Sequence, residues 1–165
     1  MRIGIDIGRV IISAAGNDGL SDTVFIDGGD EAAMQTPPEP GAIETITTLV
    51  ALSRGNAWLV SKAGPRIQAR SRAWLHHIDF FTRTGIPEQH LRFCRERRDK
   101  AVHARTLKLT HFIDDRIGVH QHLRDLVPNL YLFGHQKPRT QVPNWLTPAR
   151  DWAAIAELLL PDKSR

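Results

Sequence analysis

The chain alternates short apolar runs with stretches whose apolar residues recur every three or four positions. That rhythm predicts strands buried on both faces and joined by amphipathic helices. Ile3–Ile7 reads as a core strand, with apolar character continuing through Val10 to Ile12. Further strands are expected at Ala57–Val60, ending at Ser61, and at Leu91–Cys94, His111–Ile113 and Leu130–Phe133. Helices are expected over Ala42–Ser53, Pro65–Ile78 and 99–109, then around Val119–Val127, with a closing amphipathic helix carrying Trp152, Ile155, Ala156 and Leu159. Residues 13–40 break the rhythm. Gly16, Asn17, Asp18, Gly19, Gly28, Gly29, Pro37, Pro38 and Pro40 surround one short apolar piece, Val24–Phe25–Ile26, which predicts a loop or small hairpin leaving the sheet. Strands alternating with helices predict an α/β fold, a three-layer α/β/α sandwich on a central parallel sheet.

Composition narrows the class without changing this picture. The 165 residues predict one domain with its own hydrophobic core. With 41% hydrophobic and 24% charged residues, the chain is neither disordered nor fibrous. The lone Cys94 excludes an intramolecular disulfide and a cysteine-based zinc site, and is expected to be buried and inert. No apolar run approaches the ~20 residues of a membrane span. The N-terminus reads as a strand rather than a signal peptide, so a cytoplasmic location is expected. The net charge of +4 permits an anionic partner but does not favour nucleic acid.

In parallel sheets ligands bind beyond the carboxyl ends of the strands, at the point where strand order reverses. Asp6, Ser61, Lys100 and the pair Asp114–Asp115 fall at such positions. Asp6 interrupts an apolar strand, where a carboxylate needs a cation or donors to offset desolvation. Two more carboxylates beside it call for a hard cation with oxygen ligands, for which Mg²⁺ is the natural choice. Lys100 would hold an anionic group beside them, and Ser61 would donate a hydrogen bond to it. Taken singly, each residue has an ordinary explanation as a turn, a helix start or a solvated charge. The argument rests on their occurring together and in this order.

These residues carry a resemblance to the haloacid-dehalogenase-like (HAD) hydrolase superfamily, in particular to its small-cap phosphatase and nucleotidase-like members. Ile3–Val10 resembles the first motif, with Asp6 in the nucleophile's place. Pro37–Leu49 resembles the segment entering the helix after a cap insertion, here a minimal one over residues 13–36. Trp58–Ser61 resembles the second motif, Lys100 the third, and His111–Arg116 the acidic fourth. The resemblance covers roughly residues 1–135 and implies a Rossmannoid fold and a phosphorylated substrate. It implies that Asp6 forms an aspartyl-phosphate, with Ser61 and Lys100 completing the catalytic set. Asp6, Asp114, Asp115 and the backbone carbonyl of Gly8 would hold Mg²⁺, while Ser61, Lys62 and Lys100 bind the phosphoryl group.

The sequence departs from the family at Gly8. Phosphatases of this kind usually carry there a second Asp, which protonates the leaving group. General acid–base catalysis is worth about 100- to 10,000-fold, so slow phosphate monoester hydrolysis is expected. Arg9, Asp27, Asp30 and the histidines are the candidate substitutes. Two alternatives follow. One is an impaired HAD-fold protein that binds a phosphorylated ligand or an interaction partner. The other is a ribonuclease-H-like nuclease or resolvase, whose first strand also resembles Gly4–Gly8 and whose carboxylates hold two metals. The basic run Arg92–Lys100 is expected to be a solvated face beside the site. The eight histidines show no zinc spacing and are expected at the surface or partly buried.

Overall fold

A computed structural model describes residues 1–14 and 23–161. Residues 15–22 of the expected insertion, including Gly16, Asn17, Asp18 and Gly19, and the last four residues lie outside the described residues. Six strands form one sheet in the order β3-β2-β1-β4-β5-β6, and all pairs are parallel. They are β1 (Ile3–Ile5), β2 (Ala57–Lys62), β3 (Leu91–Cys94), β4 (His111–Asp114), β5 (Asn129–Phe133) and β6 (Thr147–Ala149). The helices are α1 (Thr23–Asp27), α2 (Asp30–Met34), α3 (Ala42–Leu52), α4 (Pro65–His77), α5 (Phe80–Thr84), α6 (Lys100–Thr106), α7 (Ile117–Leu123) and α8 (Trp152–Leu159).

Alternation along the strands divides the core in two. Ile3, Ile5, Leu59, Ile113, Tyr131 and Phe133 face α3, α4, α5 and α8. Trp58, Val60, Phe112, Leu130 and Leu132 face α6 and α7. β2, β4 and β5 each feed both cores, which is why their sequences read as continuous apolar runs. Gly4 is required by the close approach across the sheet: a Cβ there would lie 2.6 Å from the Phe112 ring. Helix starts follow local chemistry. Pro65 opens α4, where its missing N–H costs nothing, and the Asp151 carboxylate accepts from Ala154 N at 2.8 Å to start α8.

Three expectations are corrected. The first strand ends at Ile5, and the chain then turns so tightly that the Ile7 carbonyl accepts from Val10, Ile11 and Ile12 N–H. Val10–Ile12 is buried without continuing the strand. The segment expected as loop or hairpin contains α1 and α2 instead. Phe25 buries its ring edge-on to Trp74, at 6.3 Å between centroids, and Trp74 Nε1 donates to the Thr36 carbonyl at 2.8 Å. A sixth strand, β6, joins the edge of the sheet beside β5, where five strands were expected. Pro148 is tolerated there because the outer side of an edge strand needs no N–H donor. Among the described residues, no helix is long and apolar enough to cross a membrane.

Candidate active site

The strand order reverses between β1 and β4, and the register there pairs Ile5 with Ile113. Asp6 therefore emerges beside Asp114, and its N–H donates to the Ile113 carbonyl at 3.0 Å. Asp115 follows directly. One carboxylate oxygen from each of Asp6, Asp114 and Asp115 lies within 4.8 Å of the others. Lys100 enters from the start of α6 with only 2% of its surface exposed. Its Nζ lies 2.7 Å from Asp114 Oδ2, donating a hydrogen bond, and 2.8 Å from Asp6 Oδ1. The contact with Asp6 is an ion pair to a buried carboxylate oxygen.

The turn after Asp6 holds Arg9 at φ 58°, a left-handed conformation that a non-glycine residue adopts at a cost and that recurs at functional sites. From there its guanidinium pairs with the Asp115 carboxylate. Asp114 is held further. Arg116 N–H donates to its Oδ1 at 2.9 Å, and His120 Nε2 bonds its main-chain carbonyl at 3.0 Å. Burial keeps the His120 imidazole below its usual pKa, so the neutral ring donates from Nε2. His120 is fully buried. This corrects the expectation of surface or partly buried histidines, since α7 turns its inner face onto the backbone of the site.

Burial raises the Asp6 carboxyl pKa, the Asp114 charge adds to this, and Lys100 opposes it. Asp115 is pushed up to about 7, first by burial and then by Asp114 and Asp6, against Arg9 and Arg116. For Lys100, burial lowers the pKa, but Asp114 and Asp6 together outweigh it and hold the ammonium above its ordinary value. Three carboxyl groups thus crowd together, with Lys100 and Arg9 paired to them and Arg116 acting on Asp115 from close by. An all-oxygen donor set of three clustered carboxylates, two of them raised in pKa by burial and by their neighbours' charge, suits a hard divalent cation. The residues present fit Mg²⁺ on those grounds.

A cavity of about 130 Å³ opens above Asp6 and Lys100. Gly8, Ser61 and Lys62 line it, so the sequence-selected residues surround one space, with Asp114 sealed beneath. Arg9, Arg97, Arg116 and Ile26 also line it. Of these, sequence reasoning had singled out only Arg9, as a candidate acid–base group. Arg97 lay in the basic run and Arg116 in the acidic motif, while Ile26 lay in a segment with no chemical signal. Asp27 does not reach the cavity, and Asp30 pairs instead with Arg70 at 2.8 Å. Among the described residues, Asp6 and Asp115 supply the cavity's carboxyl groups and no histidine lines it. Of the run Arg92–Lys100, Lys100 is the one buried cation, and Arg95, Arg97 and Arg98 are exposed.

The wall bearing Ile26 is tied down by two arginines of α4, Arg66 donating to the Ile26 carbonyl at 3.0 Å and Arg70 doing more. Arg70 of α4 reaches under α1 and donates to the carbonyls of Phe25, Ile26 and Gly28 at 2.9, 3.0 and 2.9 Å, and to Asp30 Oδ1 at 2.8 and 3.2 Å. It thereby supplies a donor to carbonyls at a helix end, where the intrahelical ladder runs out.

No family model matches the sequence, and no curated protein is similar to it. A solved structure is similar in fold, the D,D-heptose 1,7-bisphosphate phosphatase from Burkholderia thailandensis. The TM-score is 0.56 at 12% identity, over 97% of this chain and 98% of that one. The likeness shows the fold: the chain shares that phosphatase's α/β architecture on a parallel sheet, the fold class its alternating strands and helices led us to expect.

Proposed function

We propose that the protein hydrolyses phosphate monoesters through a covalent intermediate on Asp6, as a single HAD-like domain with residues 13–36 as a small cap. The observation that carries this reading is the Lys100 ammonium set between Asp6 and Asp114 at the base of a small cationic cavity. Such a lysine offsets charge on a nucleophilic carboxylate and holds the phosphoryl group it attacks. It weighs against the ribonuclease-H-like alternative, in which carboxylates alone hold two metals. The phosphatase activity in the name of the structural neighbour is consistent with the same chemistry.

In this reading Ser61, Lys62 and Lys100 hold the non-bridging phosphoryl oxygens. An Asp6 carboxylate oxygen attacks phosphorus, and the ester P–O bond breaks with its electron pair going to the leaving oxygen. Gly8 has no proton to give, so the leaving group takes one from water. A second water then attacks phosphorus, the bond to Asp6 breaks, and phosphate departs with the carboxylate regenerated. Asp6, Asp114, Asp115 and the Gly8 carbonyl would hold Mg²⁺. When bound, the cation supplies charge neutralisation for the phosphoryl oxygens and the carboxylates.

The test is release of phosphate from a panel of monoesters with Mg²⁺, comparing wild type, Asp6→Asn and Gly8→Asp. The expected result is slow turnover in wild type, loss in Asp6→Asn, and a gain of about 100-fold or more in Gly8→Asp on esters with poor leaving groups. If folded wild type and folded Gly8→Asp both release nothing, the reading is overturned. Silence in wild type with activity in Gly8→Asp favours instead the binding protein of impaired catalysis that Gly8 itself suggests.

A further inference from the structure

A second and larger cavity, of about 450 Å³, lies against the phosphoryl site and shares Arg9, Asp115 and Arg116 with it. Its far side is the segment after β5, bearing Lys137. Its volume falls in the range of small-ligand pockets. The one carboxylate on its lining, Asp115, is already paired with Arg9. Arg116 and Lys137 lie within ion-pair distance of no carboxylate among the described residues. Two cations without a direct ion pair therefore line this space, Arg116 near enough to act on Asp115 and Lys137 away from it.

The segment carrying Lys137 is tied to the site. Gln136 Nε2 donates to the Asp115 carbonyl at 3.2 Å and to the Phe133 carbonyl at 3.3 Å. Thr140 then closes a turn onto the Lys137 carbonyl, through its N–H at 3.1 Å and its hydroxyl at 2.7 Å. Phe133 and Ile117 give the cavity an apolar side. A cationic rim over a partly apolar pocket, with its backbone braced on Asp115, suits the body of a small molecule ending in an anion.

We propose that this cavity binds a second anionic group, carried on the leaving-group side of the substrate and held by Arg116 and Lys137. The substrate is then a small metabolite with a phosphoryl group at one end and a phosphate or carboxylate at the other. A basic rim also exists on the opposite side, with Lys62, Arg97 and Arg98 beside Glu96. Among its described lining residues it has no apolar side comparable to Phe133, so the geometry favours the Lys137 side.

This inference rests on the phosphatase reading, and its test separates the two. Three matched compounds would be compared: a hexose monophosphate, the hexose bisphosphate and the phosphorylated sugar acid. The ratio of kcat/KM for each two-anion compound to that for the monophosphate is expected to be about 10 or more. Lys137→Ala should cut that ratio at least 5-fold, mainly through KM. Lys137→Arg should retain it, and Arg98→Ala should leave it within 2-fold. Which two-anion compound shows the effect tells phosphate from carboxylate. Calorimetric titration of the same compounds into Asp6→Asn, with and without Lys137→Ala, gives a readout independent of turnover. A two-anion preference in binding that is lost with Lys137 supports the subsite even where no ester is hydrolysed. Equal kcat/KM and equal affinity for one- and two-anion compounds overturn it, as does a ratio governed by Arg98 rather than Lys137.

Discussion

Replacing Lys100 by Met removes the ammonium and keeps most of the volume of its stem. The consequence follows from what Lys100 touches. Asp114 is completely buried, and Oδ2 would lose the donor 2.7 Å away, while Oδ1 keeps only the Arg116 N–H. Asp6 Oδ1 would lose the cation at 2.8 Å. Breaking a buried ion pair from one side costs about 3–5 kcal/mol, because the remaining charge stays desolvated and unpaired. In a domain of this size each kcal/mol moves Tm by about 2–4 °C, so the metal-free variant should melt about 6–20 °C lower at pH 7. Proton uptake by Asp6, whose carboxyl pKa burial already raises, sets the loss toward the lower end. The assay is thermal unfolding in chelator at pH 7, then with Mg²⁺. A cation at 100-fold its Kd returns about 2.7 kcal/mol. A metal-free variant melting within about 3 °C of wild type would refute the argument that Lys100 neutralises this cluster.

Three further outcomes are expected. Asp115 is pushed up to about 7 by burial, Asp114 and Asp6, whereas unfolded it titrates near ~3.9. Between those values the folded protein keeps a proton the unfolded chain has released, so metal-free stability should fall as pH rises from about 4 to about 7. Denaturant titrations across that window check the sign, and saturating Mg²⁺ should flatten the slope. Arg70→Leu takes the shared donor from the Phe25, Ile26 and Gly28 carbonyls, of which Ile26 keeps Arg66, and should cost about 2–4 kcal/mol. Limited proteolysis should then cut first within residues 23–36, and a cleavage pattern unchanged from wild type would count against Arg70 as the anchor. Trp152→Phe removes the Nε1 donor, 2.7 Å from the Val10 carbonyl behind the Asp6 turn, and should cost about 1–3 kcal/mol by chemical denaturation.

Five of the six strands were legible because they are short, largely apolar runs, and β2, β4 and β5 are so because each feeds both cores. Leu91–Cys94 has the bounds its sequence predicted, set by polar residues on both sides. The strand at 147–149 was not legible, because three residues with a proline carry no periodicity and only pairing with β5 makes them a strand. The short helices α1, α2 and α5 each span about one turn, too little for a three- or four-residue spacing to repeat. At the site, Asp6, Lys100 and Asp114 were legible from chemistry, since charges placed at the ends of apolar runs demand partners. Arg70 was not. In sequence it is one of several arginines in α4, and only the approach of α1 brings three carbonyls to its guanidinium. Gln136 was equally silent, because its bonds go to main-chain carbonyls that no side-chain pattern announces.

The central claim is that Asp6 becomes covalently phosphorylated. Wild type, mixed with Mg²⁺ and a hydrolysed monoester, would be quenched in acid within a turnover and reduced with borohydride. An acyl phosphate at Asp6 is then converted to homoserine, which peptide mass spectrometry locates. The account predicts homoserine at position 6 in wild type, and none when substrate is omitted or in Asp6→Asn. Phosphate release that proceeds with Asp6 unmodified, or a reduced residue at Asp115 instead, would contradict it.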